Sequence, residues 1–402
     1  MTGLKQLLAP RDGPALVPGT GARVLLLSMR RLDDLVAYSM IYEFEDVAAE
    51  VTGADRVDAG GGERLEWCRR AYKLLRYGSR SRALARTLAP RGRTVRLERE
   101  YDLFFPTFNH AYELYALSQV PDWRARCRLA ACFVSELWLE AMPRYLLELL
   151  SAFDHVFLGV QTPVNEVARI TGRPCSFLPL GADVLRFSPL LGPAHEKRPI
   201  DVCNIGRRSP VTHEALLKLA RDGRIFYYYD TVSASGIDGK QRTFHVQNAA
   251  EHRLLLASIL RRSRFYFTHR ARINEPELTR GHDEISGRFY EGVAAGTVML
   301  GEPPADAVFQ QLFDWPDAVL RAPFDCPGIG ERLAELERDP QRLARISFTN
   351  AQQAALRHDW VYRLRAVYQT LGLPPTSAML AREARLRALA MPPLGLSGGK
   401  AA

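Results

Sequence analysis

Short apolar runs alternating with stretches of helical period organise the chain. Residues 23–28 (RVLLLS), 101–108 (YDLFFPTF), 128–137 (RLAACFVSEL) and 153–159 (FDHVFLG) are too short for helices and nearly continuous in apolar character. That is the signature of strands buried on both faces of a parallel sheet. Helical patterns fill 35–51, 65–77, 111–120 and 144–151 between them. A second series follows: strands at 200–205, 224–230, 264–268, 297–300 and 318–320, and helices at 212–221, 251–261, 288–295, 329–338, 340–358 and 360–371. Strands alternating with helices predict an α/β class.

Pro and Gly cluster in 179–189 (PLGADVLRFSP) and on to Pro199, which reads as an interdomain connection. The predicted domains are therefore 1–185 and 186–358, with the helix at 359–372 returning to close the first. A tail at 392–402 has little to bury and is expected to be disordered. In open parallel sheets ligands bind at the carboxyl ends of strands, so two sheets facing each other across a cleft would hold two substrates.

Composition narrows the class. With 402 residues, 47% hydrophobic and 25% charged, the chain is ordinary globular protein with room for two cores. Its six cysteines are scattered, with no CxxC pair and no zinc spacing, so they read as small buried hydrophobes in a reducing compartment. The start lacks the apolar core of a signal peptide, and no run is long enough to span a bilayer. A soluble, cytoplasmic protein is the expectation, with the inner face of the membrane as a peripheral site.

Candidate chemistry concentrates in residues 281–296, GHDEISGRFYEGVAAG. A glycine-bearing polar loop leads into a helix, with Ser286 at the cap position. A helix start approached by Ser286 and Gly287 offers free amides and the positive end of a dipole to a diphosphate, and Arg288 adds a fixed charge. Glu291, one turn on, can accept from ribose hydroxyls, and Asp283 in the loop can reach the sugar. The bland alternative is a capped amphipathic helix with Glu291 on a solvated face.

This stretch resembles the nucleotide-sugar-binding motif of GT-B glycosyltransferases, especially family four and the spore-maturation-protein-like group. The acid, seven residues and a Glu are matched by Asp283 and Glu291, the preceding Arg by Arg288, and EGVAAGTVMLGE follows the small-residue helix and short strand. FLPLGADVLRFSP resembles the linker of those enzymes, IDVCNIGRR their strand ending in Gly206 and Arg, and HDWVYRLRAVYQTL their closing helix. The resemblance implies a GT-B fold of two Rossmann-like domains facing across a cleft. It implies transfer of a sugar, with retention, from a nucleotide diphosphate sugar to a hydroxyl of a glycan, lipid-linked or small-molecule acceptor. No cofactor or metal is implied. Glu291 would bind ribose, Ser286, Gly287 and Arg288 the diphosphate, and Arg207 or Arg208 the charge growing on the leaving phosphate. Two departures stand out: the first acid is Asp rather than Glu, and no Lys follows the strand-end Arg. His213 is the nearest stand-in, since Lys218 lies deep in its helix.

His269, Arg270 and Arg272 follow a strand and suit phosphate or sugar, or form a solvated loop. Tyr227 to Asp230 would wall a nucleobase pocket or simply be core. Asn109, His110 and Glu136 follow strands of the first half; Glu136 or His110 would be the base on an acceptor hydroxyl if the reaction inverts. A catalytically inactive donor-binding partner of the same fold is the alternative.

Charge is uneven. The net +9 resides in residues 69–99, which hold eleven Lys/Arg against Glu98 alone. With Trp67, Tyr72, Leu74, Leu75 and Tyr77 interleaved, this segment suits an anionic membrane surface or acidic acceptor, ahead of a solvated charged face. Nucleic acid ranks last, because no base-reading module is visible.

Overall fold

The structure is a computed structural model. It describes residues 14–20, 23–32, 35–60, 62–89, 93–139, 142–192, 197–230, 248–279 and 281–391. The tail expected to be disordered, and Arg91 of the basic segment, lie outside the described residues. The chain forms two compact units, residues 1–34 with 45–179 and residues 35–44 with 180–402.

The first unit holds a seven-stranded sheet of β1 (Ala15–Val17), β2 (Val24–Ser28), β3 (Asp55–Asp58), β4 (Tyr101–Phe108), β5 (Cys127–Val134), β6 (His155–Leu158) and β7 (Cys175–Phe177), in the order β1-β3-β2-β4-β5-β6-β7. All pairings are parallel except β1 with β3. The four strands expected here are present, and Leu25, Leu27, Phe104, Phe133 and Phe157 form their buried filling. Expected helix 111–120 is a 3-10 helix, Ala111–Gln119. Helices α1 (Ser39–Thr52), α2 (Gly62–Ser79), α3 (Arg82–Leu88) and α4 (Val164–Thr171) complete the labelled elements up to Pro179. Helix α1 is shared, its turns through Phe44 counting with the second unit.

The second unit is all parallel: β8 (Ile200–Asn204), β9 (Tyr227–Tyr229), β10 (Ser263–Phe267), β11 (Val298–Gly301) and β12 (Leu320–Arg321), in the order β12-β11-β10-β8-β9. Its longer helices are α5 (Pro210–Arg221), α6 (Ala249–Arg261), α7 (Gly287–Ala294), α8 (Ile329–Leu336), α9 (Pro340–Arg357), α10 (Trp360–Thr370) and α11 (Ser377–Ala390). Val202, Leu216, Phe265, Phe267, Leu300 and Ile329 pack as one core between sheet and helices.

Two features of the domain division differ from the sequence expectation. The Pro/Gly segment is no open linker beyond Pro179: Ala182, Val184 and Phe187 are fully buried, and Ala182 exchanges backbone hydrogen bonds with His358 and Trp360. Helix α10, assigned by pattern to the first domain, packs with the second unit. Its Trp360 donates to Glu43 Oε1 (3.1 Å) and Arg363 to the Leu180 carbonyl (2.9 Å). Helix α11 is clamped by Arg382, which donates to Asp359 Oδ1 (2.8 Å) and Asp183 Oδ1 (2.6 Å).

Candidate active site

In the second unit the chain runs from β8 to β9 on one side, then crosses to β10 on the other. The carboxyl ends of β8 and β10 therefore flank a topological switch point, where open parallel sheets bind ligands. The loops after these strands and the start of α7 carry nearly every second-unit residue singled out from sequence.

Gly206 follows β8 with φ +79°, a left-handed conformation cheap only for glycine. This turn lets its amide donate to the Asp230 carboxylate (3.0 and 3.1 Å) at the end of β9. Arg208 donates to the same carboxylate and stacks 5.3 Å from the Tyr229 ring centroid. Arg207 turns to Glu275 (2.9 Å) and Asn274 (2.9 Å). Arg270 pairs with Asp283 (2.9 Å) and Glu302 (3.0 Å), and Arg272 with Glu275 (2.7 Å). These four arginines are neutralised locally. Arg288 is different: its guanidinium donates to the carbonyls of Ile205 (2.9 Å) and Arg207 (3.2 Å), and among the described residues it pairs with no carboxylate. Its charge stays available at the switch point.

Helix α7 begins beside it. Ser286 has the extended conformation of an N-cap, but its side chain makes no capping bond. The hydroxyl is buried with no hydrogen-bond partner among the described residues. The same holds for Asn204 Oδ1 at the end of β8 and Thr268 Oγ1 just past β10. Such atoms cost roughly 1–3 kcal/mol each when left unsatisfied, and they cluster where a ligand is expected. A Cβ at Gly287 would lie 2.5 Å from Met40 Sδ, the flexible end of that side chain.

Glu291 sits one turn into α7, 5% exposed, and accepts a short hydrogen bond from Arg253 Nη1. Arg253, on α6 and itself buried, also donates to both oxygens of Glu43 (2.8 and 3.1 Å). Burial pushes the Glu43 carboxyl upward, but the charge and hydrogen bonds of Arg253 outweigh it and hold the group below the ordinary glutamate range. The solvated face considered for Glu291 is thus replaced by a buried ion triad that fixes its rotamer.

His269 is 2% exposed, and its Nδ1 accepts from the Glu302 amide (3.2 Å). Burial, then the charges of Arg288 and Arg270, press its pKa down to about 3, so it is neutral at physiological pH. His213, the stand-in for a missing lysine, bonds Tyr227 through Nδ1 (2.9 Å) and packs edge-on against Tyr229. Burial and Arg208 lower its pKa below 6.5. Both favour the neutral imidazole over the cation, unlike a lysine at the same place.

The first unit has its own switch point, between β2 and β4. Asn109 follows β4, buried, giving its amide (2.6 Å) and side-chain nitrogen (3.1 Å) to Glu113 while Oδ1 has no partner among the described residues. His110 follows, edge-on to Tyr112. Glu136 accepts from Trp138 Nε1 (2.6 Å). A residue missed from sequence, Glu45, is buried here, bonded by Ser28 and Thr107, and burial raises its pKa. Among the described residues no group of His, Cys, Asp and Glu is placed to hold a metal ion.

Residues 190–369 match a family model described as Glycosyl transferase-like. Among solved structures, an alpha-glucosyltransferase in complex with UDP and a 13-mer DNA containing an HMU base is 11% identical with a TM-score of 0.53, over 88% of this chain and 100% of that one. At that identity the two share a fold, and the chain adopts the GT-B architecture expected from its motifs. TarM of S. aureus, solved with Fondaparinux, alpha-GlcNAc-glycerol and UDP, is 8% identical with a TM-score of 0.42, over 66% of this chain and 55% of that one. The glycotransferase of kitacinnamycin is 13% identical with a TM-score of 0.35, over 93% and 100%. Both lie too far in shape to inform this chain. No curated protein sequence matches it. The matched segment contains β8 to β12 and thus the whole switch point of the second unit.

Proposed function

We propose that the chain transfers a sugar from a nucleotide diphosphate sugar to a hydroxyl acceptor. One observation carries the reading: Arg288, an arginine with no carboxylate partner among the described residues, stands at the start of α7 beside the unpartnered Ser286 hydroxyl. A helix start with free amides, a hydroxyl and a guanidinium is the donor set a diphosphate needs. Glu291, its rotamer fixed by Arg253, accepts from the ribose. As the bond from sugar to phosphate breaks, charge accumulates on the leaving diphosphate, and Arg288 stabilises it without reorganising. Arg207 and Arg208 orient the loop through their carboxylates. Asn109 and His110 bind the acceptor, a glycan, lipid-linked or small-molecule hydroxyl. With retention no general base is required, and Glu136 serves that role only in an inverting reaction.

A second reading, donor binding without turnover, is favoured by the absence of a lysine after the strand-end arginines, where His213 stands. A thermal-shift screen of nucleoside diphosphates and their sugars, followed by donor hydrolysis, separates the two. Ligand at a hundred times Kd adds about 2.7 kcal/mol of stability and raises the melting point. Slow release of free sugar marks a transferase. Binding without release marks the partner protein, and no shift with any nucleotide rejects both.

A further inference from the structure

We propose that helices α2 and α3 of the first unit form a docking face for an anionic membrane surface. The outward side of a surface helix is normally polar, and that of α2 is not. Leu65, Cys68 and Tyr72 are buried, while Trp67 is 59% exposed, Leu74 75% and Tyr77 59%. At 100° per residue, Trp67, Arg70, Leu74 and Tyr77 fall in one arc of about 80°, opposite the buried side, with exposed Lys73 on its margin. Helix α3, packed against α2, adds Leu84 and Leu88, one turn apart and 46% and 58% exposed. Exposed Arg80, Arg93 and Arg96 extend the positive field, in a segment that holds the chain's entire net charge.

Charge alone would suit any polyanion. The apolar arc selects a bilayer: Trp and Tyr favour the headgroup boundary, Leu gains from the acyl region, and the basic groups between them meet anionic headgroups. Phosphates of a nucleic acid would leave Trp67, Leu74, Leu84 and Leu88 without a partner. Among the described residues no helix is long and apolar enough to cross a membrane, so the helices lie on the surface.

Co-sedimentation of the full-length protein with vesicles tests this, using phosphatidylcholine with and without phosphatidylglycerol. Wild type partitions to the mixed vesicles and at least tenfold less to phosphatidylcholine alone. Trp67→Ser with Leu74→Ser, and separately Arg70→Glu with Lys73→Glu, each lower partition at least tenfold. Unchanged melting temperatures and unchanged binding of nucleoside diphosphates show that both variants are folded. High salt weakens wild-type binding and the serine variant's residual binding alike. Equal partition of wild type to both vesicle types overturns the proposal, as does full binding by either variant. So does tight binding of duplex DNA that the charge variant abolishes while vesicle binding persists.

Discussion

Replacing Arg253 by Met should be among the most damaging single changes in the second unit. The guanidinium is 2% exposed, bonds Glu43 twice and Glu291 once, and lies 4.9 Å from the Phe187 ring centroid. Met keeps most of the apolar contact but strands two buried carboxylates. Glu43 remains buried because the Asp183 amide (2.8 Å) and Trp360 Nε1 (3.1 Å) hold it. Removing one partner of a buried ion pair costs about 3–5 kcal/mol, or roughly 10 °C of melting temperature for a unit of this size. The pH dependence gives the sharper check. In wild type Arg253 holds Glu43 below the ordinary glutamate range. In Arg253→Met only the weaker pull of the Asp183 amide and Arg186 opposes burial, so the folded-state pKa of Glu43 rises above its unfolded value. A raised folded pKa favours folding at low pH and loses that benefit as pH climbs through it. The penalty should therefore be largest near neutrality and shrink as pH falls toward the ordinary glutamate range. Thermal melts of both proteins across that window read it directly. A cost below about 1 kcal/mol at neutral pH, or one that does not change with pH, would refute a triad held by charge.

Three other outcomes follow from the same geometry. His269, pressed to about 3 against an unfolded value near 6.5, should show no imidazole titration by NMR above about pH 4; its contribution to stability is present above pH 6.5 and drains as pH falls toward 3. Ser286→Ala and Thr268→Val should raise the melting temperature by a few degrees, since each removes an unsatisfied buried hydroxyl, yet Ser286→Ala should raise KM for donor about tenfold by removing a phosphate contact. Gly287→Ala should change stability by less than about 1 kcal/mol, because its Cβ meets only the flexible end of Met40; a larger loss that Met40→Ala recovers in the same chain would show that the thioether is held in place.

How much was legible in the sequence depended on locality. The buried parallel strands announce themselves because both faces are apolar, and β2, β4, β5, β6, β8 and β10 fall where the runs place them. Strand β3 reads DRVD and β7 is three residues, so neither offers an apolar run, and both are held by neighbours instead. Helix α11 buries Arg382 and Glu383 among its core residues, which erases the periodic signal. In the site, the loop and helix around Ser286, Arg288 and Glu291 are contiguous and so were readable. Their partners are not: Arg253, Glu43, Asn204 and Thr268 come from separate segments brought together by the fold. Asn204 and Thr268 lie at or just past strand ends, a signal that could have found them. Nothing local marks Glu43. Protonation was the least legible property, because the charge of His213 and His269 is set by burial and neighbouring arginines rather than by residue type.

The central claim is that Arg288 and the amides at the start of α7 grip a diphosphate. Calorimetric titration of wild type and Arg288→Ala with uridine, guanosine and adenosine diphosphates tests it most directly. Wild type should bind at least one of them, and the variant should bind that same one about 10- to 100-fold more weakly, the loss of one charge-assisted contact, with a melting temperature lower by only a few degrees for the lost bonds to the Ile205 and Arg207 carbonyls. Equal affinity in the two proteins, or no binding of any of the three by wild type, would contradict it.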